Sequence, residues 1–130
     1  MRQSNPELQL LIAGIKEDVP DYVRKDNQVN LQGVLSQPQI CELLMKAKYY
    51  LTATLIENSY NAASEGVFFA RESFVSDIGP HRELLQNVNY KIINNLGTQI
   101  PSLYINHQNL NSDILKSWDH VINEMIRQCS

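Results

Sequence analysis

The chain has 130 residues, of which 43% are hydrophobic and 19% are charged. This length suits one domain with its own core, and the balance is typical of a globular protein rather than a disordered one. We therefore expect a single domain over residues 1–130. The net charge of -3 offers phosphates no broad basic surface, so we expect no nucleic-acid partner.

The sequence shows neither a membrane-spanning segment nor a secretory signal. Its apolar runs are shorter than the ~20 residues that a transmembrane helix requires, and the N-terminal MRQSNPELQ has no apolar core. The two cysteines, Cys41 and Cys129, are too few for a disulfide scaffold and are typical of cytosolic thiols. These features predict a soluble, cytoplasmic protein.

Two short apolar segments open the chain. Residues 8–13 (LQLLIA) are almost continuously apolar and end at Gly14, which is typical of a strand buried on both faces. Residues 29–31 predict a second strand, closed by Gly33.

A helix and a third strand follow. Ser36 begins the helix, since Ser36 and Gln39 have the spacing of a capping box. Its buried face is predicted from the apolar residues at helical spacing, which are Ile40, Leu43, Leu44 and Ala47. Residues 49–54 (YYLTAT) are rich in aromatic and β-branched side chains and predict the third strand.

The second half of the chain has shorter elements. Residues 61–71 predict a helix whose stripe of small side chains suits close packing on a sheet: Ala62, Ala63, Gly66, Val67 and Ala70. A fourth strand is predicted over residues 74–76 and a helical turn over residues 81–85. Residues 90–93 predict a weak fifth strand, and residues 94–109 are expected to be irregular.

The last helix has the clearest pattern. Ser112 caps it, and one face is traced by Ile114, Leu115, Trp118, Val121, Ile122 and Met125. Because strands and helices alternate, we predict an α/β fold, Rossmann-like and doubly wound, with three α/β/α layers and a mostly parallel sheet. In such folds ligands bind at the carboxyl ends of the strands.

Two glutamates flank the start of the helix at residues 61–71. Glu57 lies in the preceding loop, and Glu65 lies about one turn inside the helix, whose first backbone N–H groups lack helical partners. Carboxylates accept hydrogen bonds from hydroxyls and the helix start attracts anions, so the pattern suits a ligand with sugar hydroxyls and phosphates. A solvated helix face with a dipole-compensating charge has the same spacing, and the spacing leaves both interpretations open.

Four segments resemble, in order, the C-terminal donor-binding domain of retaining glycosyltransferases with the GT-B architecture. They are LQLLIAG, VNLQGVLSQPQICELLMKAKYYLTAT, ENSYNAASE and SFVSDIGPHREL. The third, residues 57–65, keeps the E-x7-E spacing of that family. In the fourth, a Ser-Asp pair ends a strand before a turn that carries a glutamate. The resemblance covers residues 8 to 85 and implies half of a GT-B fold.

The resemblance implies roles for the residues around the E-x7-E motif. Glu65 would accept hydrogen bonds from the ribose of a nucleotide-sugar donor. Glu57, as the catalytic residue, would hold hydroxyls of the donor sugar. The donor sugar and distal phosphate would lie near Asn58, Ser59, Tyr60 and Asn61.

The resemblance also assigns three donor-binding residues earlier in the chain. These are Gly14, after the first strand, and Val34 and Leu35, which would line the nucleobase through backbone groups. Plain core packing is the other interpretation of Val34 and Leu35.

The chain departs from the family before the matching region and again after Glu65. Arg2 is the only basic residue before Leu8, so the family's first strand, glycine-rich loop and arginine–lysine pair have no counterpart. Ala70 stands where the family has a helix-ending glycine, and Glu72 where it has a proline. An alanine in a left-handed cap costs roughly 1–2 kcal/mol, so we expect this helix to end differently.

The family's missing first strand lies between the strands that match residues 8–13 and 49–54. We expect these two strands to pair directly, in the order 2-1-3-4 along this chain, or to receive a strand from another chain.

The expected function is that of a hexosyltransferase donor-binding domain in polysaccharide biosynthesis. It would transfer a sugar from a nucleotide diphosphate to a glycan or a lipid-linked acceptor, with retention and without a metal or further cofactor. The partners implied are the donor and an N-terminal acceptor domain or partner chain, which would bring the protein to the inner face of the membrane. This chain alone would be inactive. The alternative is a non-catalytic α/β module that binds nucleotides or proteins.

The histidines offer no competing site. His81, His107 and His120 lack metal-ligand spacing with one another and with the cysteines. His81 follows the Gly-Pro turn and is interpreted as solvated or capping, with a phosphate contact as the alternative. Ser76, Asp77 and His81 lack a nucleophile elbow, so we expect no hydrolytic triad.

Overall fold

A computed structural model of the chain describes residues 6–58, 60–97, 100–110 and 127. The chain divides into two compact units, Met1–Leu43 and Leu44–Ser130. The helix predicted over residues 112–125 lies outside the described residues. Within the described part, no helix has the length and apolar character needed to cross a membrane.

The first unit is built on a two-stranded parallel sheet. β1 (Leu10–Ala13) pairs with β2 (Val29–Gly33). The connection contains a 3-10 helix, Lys16–Asp18, and the short α1 (Asp21–Arg24).

The predicted burial of the first strand is wrong. Leu10 and Leu11 are 43% and 39% exposed, so the faces of β1 are not fully covered by the described residues, in which β1 pairs with β2 alone. The run of apolar residues predicted the strand correctly, but it did not predict which residues would pack against the faces of that strand.

The helix α2 (Gln37–Lys46) begins as predicted from the capping box. The backbone N–H of Ser36 and its hydroxyl both donate to Oε1 of Gln39, each at 2.9 Å. The predicted apolar stripe is half-buried along its length, at Ile40, Leu43, Leu44 and Ala47.

The second unit contains a four-stranded mixed sheet in the order β3-β4-β6-β5. β3 (Tyr49–Thr52) is parallel to β4 (Glu72–Ser76), whereas β6 (Ser102–Asn106) is antiparallel to both β4 and β5 (Lys91–Ile93). The architecture is α/β, compatible with a Rossmann-like fold, but the prediction of a mostly parallel sheet is wrong.

The error comes from residues 94–109, which were expected to be irregular and which contain β6. The connection over residues 94–101 is shorter than the dozen or so residues that a parallel crossover requires. The chain therefore returns antiparallel after β5.

The predicted pairing of the first and third strands is also wrong. β1 pairs with β2 and β3 with β4, and within the described residues no hydrogen-bonded strand pair joins the two sheets. β4 obtains its second neighbour from β6, so β3 is an edge strand of its sheet.

Among the described residues of the second unit, two helices build the core with the sheet. They are α3 (Asn61–Phe69) and α4 (Gly79–Leu84). The buried apolar cluster consists of Ala63, Val67, Val75, Leu84, Leu85, Val88, Leu103 and Ile105.

The end of α3 confirms the expectation drawn from Ala70. This residue follows the helix in extended backbone, at φ -78 and ψ 156, so no left-handed cap forms. The helix leads into β4 after only a few residues, and the cost of a left-handed alanine is avoided.

Candidate functional site

The candidate site lies where β3 ends and α3 begins, in the second unit. Within the connecting loop, the hydroxyl of Thr54 donates to the carbonyl of Ile56 at 2.8 Å. The hydroxyl of Ser76, the last residue of β4, donates to the carbonyl of Thr54 at 2.5 Å. The loop that carries Glu57 is therefore hydrogen-bonded to the carboxyl end of β4.

The helix α3 lies close against β3 at Gly66. A Cβ at this position would come within 2.3 Å of the Tyr50 ring, so only glycine allows this approach. The buried hydroxyl of Ser73 on β4 donates to the carbonyl of Gly66 at 3.2 Å and fixes the same turn of the helix. Glu65, the preceding residue, is held in place by these contacts.

The charges of Glu57 and Glu65 both raise the pKa of Tyr50. Burial of this half-buried side chain is the main cause, and burial and the two negative charges together raise its pKa to about 12 against a hydrogen bond from Thr52 that lowers it. Both carboxylates are half-buried. Both glutamates therefore influence the same tyrosine of β3, and their binding of one ligand stays a prediction.

The other predicted residues of this loop have different environments. Asn58 and Asn61 are exposed, whereas Tyr60 is half-buried and packs against the core cluster. Ser59 lies outside the described residues. The N–H of Ser64 donates to the Tyr60 carbonyl at 2.7 Å, and the amides before it have no intrahelical partner, as at every helix start.

Gly14, Val34 and Leu35 belong to the first unit. Gly14 follows β1 at φ 138, a backbone conformation that favours glycine, and its N–H donates to the Gly33 carbonyl at 2.8 Å. Val34 is 79% exposed, which rules out core packing for its side chain, and Leu35 is half-buried. Their assignment to the donor nucleobase stays a prediction.

His81 is the residue that the sequence analysis misjudged. It is fully buried, so the solvated interpretation is wrong, and its Nδ1 lies 2.8 Å from the carbonyl oxygen of Ser76. The sequence held a signal for this: His81, Leu84, Leu85 and Val88 follow the i, i+3, i+4, i+7 pattern of a buried helix face.

Charge at the start of α4 is paired locally. The guanidinium of Arg82 donates two hydrogen bonds to the carboxylate of Asp77, of 2.5 and 2.7 Å. In the described ranges, no group of three or more His, Cys, Asp or Glu side chains is placed to hold a metal ion.

In comparisons with known proteins, no family model, no curated protein and no solved structure matches this chain. The resemblance to retaining glycosyltransferases therefore depends on the sequence motifs, and what it implies is developed below as a proposal.

Proposed function

We propose that this chain is the donor-binding domain of a glycosyltransferase that uses a nucleotide diphosphate-sugar. The observation that carries the proposal is that the β3–α3 loop with Glu57 is joined by hydrogen bonds to the end of β4, while α3 with Glu65 packs against Tyr50 of β3. The charges of both glutamates raise the pKa of Tyr50, which supports a site with two carboxylates at this junction.

The chemistry of the junction suits such a donor. Carboxylates are strong acceptors for vicinal hydroxyls, so Glu65 would hold the ribose and Glu57 the transferred sugar. The amides at the start of α3 would receive the distal phosphate. Tyr50 stays protonated at neutral pH, because its pKa is about 12, and therefore serves as a hydrogen-bond donor.

The reaction would transfer a hexose from the donor to a glycan or a lipid-linked acceptor, with retention. In this chemistry a protein acts mainly by positioning the donor and stabilising the departing diphosphate. The acceptor would be bound by an N-terminal domain or a partner chain at the cytoplasmic face of a membrane. We expect the 130-residue chain alone to transfer no sugar.

The test is stabilisation of the chain by nucleotides. UDP, GDP and ADP are compared with inorganic phosphate by thermal shift, and a true ligand stabilises by about 2.7 kcal/mol at one hundred times its Kd. Glu65→Gln should weaken binding of that nucleotide by about 1–3 kcal/mol. The matched control is Glu17→Gln, an exposed glutamate outside the four resembling segments, which should bind as the wild type does. Equal, negligible shifts with all four compounds would exclude a nucleotide site.

A protein-interaction module is the second candidate, and one observation favours it. Leu55 and Ile56 in the same loop are 51% and 84% exposed, and adjacent exposed apolar side chains are typical of contact surfaces. If nucleotides fail to bind, Ile56→Ser provides the variant with which to test loss of a protein partner.

A further inference from the structure

The loop between β3 and α3 is held by a chain of hydrogen bonds that ends at the peptide bond before Glu57. The hydroxyl of Ser76 donates to the carbonyl of Thr54 at 2.5 Å, and the hydroxyl of Thr54 donates to the carbonyl of Ile56 at 2.8 Å. The carbonyl of Ile56 belongs to the peptide that leads directly into Glu57. A shift at Ser76 is therefore transmitted to the backbone of Glu57.

Ser76 is itself fixed by His81. The carbonyl of Ser76 accepts a hydrogen bond from the N–H of Ile78 at 2.9 Å and lies 2.8 Å from Nδ1 of His81. A carbonyl can only accept, so Nδ1 carries the proton, and it also lies 3.3 Å from the Ser76 hydroxyl. Because that hydroxyl donates to Thr54, it has lone pairs left with which to accept from His81.

Both residues are buried. Ser76 is 1% exposed and His81 is completely buried. Nε2 of His81 has no hydrogen-bond partner in the part of the chain that the structure describes. The polar contacts that the structure shows for the ring are therefore those of Nδ1 with Ser76.

We infer that Ser76 and His81 are positioning residues for Glu57, an inference that rests on the proposed donor site. They set the backbone from which Glu57 reaches the transferred sugar, and they leave Glu65, which lies on α3, unaffected. The pair should therefore govern the preference for a nucleotide-sugar over the bare nucleoside diphosphate.

The first measurement is amide hydrogen exchange of the full chain over residues 53–58. Ser76→Ala removes the bond to Thr54 and should accelerate exchange there about threefold to tenfold. Ser73→Ala is the matched control, because it also removes a bond from a buried serine of β4 to a carbonyl, but that carbonyl belongs to Gly66 on α3. It should leave exchange over residues 53–58 as in the wild type.

Two substitutions test the role of His81. His81→Asn retains an N–H donor near the place of Nδ1 and should preserve slow exchange over residues 53–58. His81→Leu removes the donor and should behave as Ser76→Ala. The positioning role is wrong if His81→Leu and His81→Asn change exchange over residues 53–58 equally. It is also wrong if Ser76→Ala and Ser73→Ala change that exchange equally.

The second measurement is the ratio of Kd values for a nucleoside diphosphate and its nucleotide-sugar. Ser76→Ala should reduce the advantage of the nucleotide-sugar about threefold or more with little change for the diphosphate, and Ser73→Ala should leave the ratio unchanged. An unchanged ratio in Ser76→Ala overturns the link to Glu57. If the wild type binds neither compound, the proposed donor site fails, while the exchange data still decide whether Ser76 fixes the loop.

Discussion

Gly66 on α3 lies directly against the ring of Tyr50 on β3, so that a Cβ at residue 66 would come within 2.3 Å of Cδ1 and Cε1 of the ring. The helix approaches the strand this closely because residue 66 has no side chain. The contact fixes the distance between α3, which carries Glu65, and the strand whose following loop carries Glu57.

The first prediction is that Gly66→Ala destabilises the protein. The added methyl group would overlap a ring that is packed into the structure, and overpacking of this kind costs about 1–3 kcal/mol. Alanine gains at most about 1 kcal/mol in helix propensity over glycine, so the net free energy of unfolding should fall. Chemical denaturation measures the change.

Gly79→Ala is the control for that substitution. Gly79 is exposed, and a Cβ there would meet nothing within 4 Å. Its free energy of unfolding should stay within about 0.5 kcal/mol of the wild type. A Gly66→Ala protein as stable as the wild type would show that the helix and the strand are not in contact at this point.

The second prediction concerns Ala70, where the resembling family has glycine. Because Ala70 is extended and only 1% exposed, glycine gains nothing from its freedom and loses a buried methyl group. Ala70→Gly should lower the free energy of unfolding by about 1–2 kcal/mol. Thermal denaturation gives the sign, and an increase in stability would mean that α3 ends in a left-handed cap after all.

Local patterns predicted the elements that depend on local interactions. The capping box of Ser36 and Gln39 placed the start of α2, and the stripe of small residues predicted the face on which α3 is buried. The E-x7-E spacing predicted that Glu57 and Glu65 act on one ligand, and this stays a prediction, although the charges of both raise the pKa of Tyr50.

What failed depends on contacts between distant parts of the chain. The partner of β6 is β4, a strand some thirty residues away (Phe74 opposite Tyr104), and no local pattern encodes that pairing. The exposure of β1 likewise depends on which distant residues pack on the faces of its sheet. His81 is different, because its helical spacing with Leu84 and Leu85 did indicate burial and was outweighed by its polarity.

The third prediction concerns stability at high pH. The pKa of Tyr50 is about 12 in the folded protein, against 10.0 for an ordinary tyrosine, so the unfolded chain loses this proton at a lower pH than the folded one. The contribution of Tyr50 is fully present below pH 10 and is lost as the pH rises towards 12. Tyr50→Phe keeps the ring against Gly66 and should remove this part of the decline in the free energy of unfolding.

Tyr22→Phe is the matched control, because Tyr22 is 80% exposed. Urea denaturation at several pH values on either side of pH 10 should give Tyr22→Phe the same decline as the wild type. The same steep decline in Tyr50→Phe would assign it to other groups and would contradict the raised pKa of Tyr50.

The last prediction tests whether the charges of both carboxylates raise the pKa of Tyr50. Glu57→Gln and Glu65→Gln each remove a negative charge that raises the pKa of Tyr50, so each should lower that pKa while leaving the desolvation of the ring in place. The chain has six tyrosines, so the ultraviolet titration of each protein is compared with that of its Tyr50→Phe counterpart, and the difference reports Tyr50 alone.

The control is Glu83→Gln. Glu83 is an exposed glutamate that does not contribute to the raised pKa of Tyr50, so this substitution should leave the titration unchanged. A double substitution at residues 57 and 65 should lower the pKa more than either single one, because the two charges act on the same oxygen from different elements. If one of the two substitutions leaves the pKa of Tyr50 unchanged, the proposed site has only one carboxylate. The proposal then keeps only the role of the other glutamate, in binding the ribose or the transferred sugar.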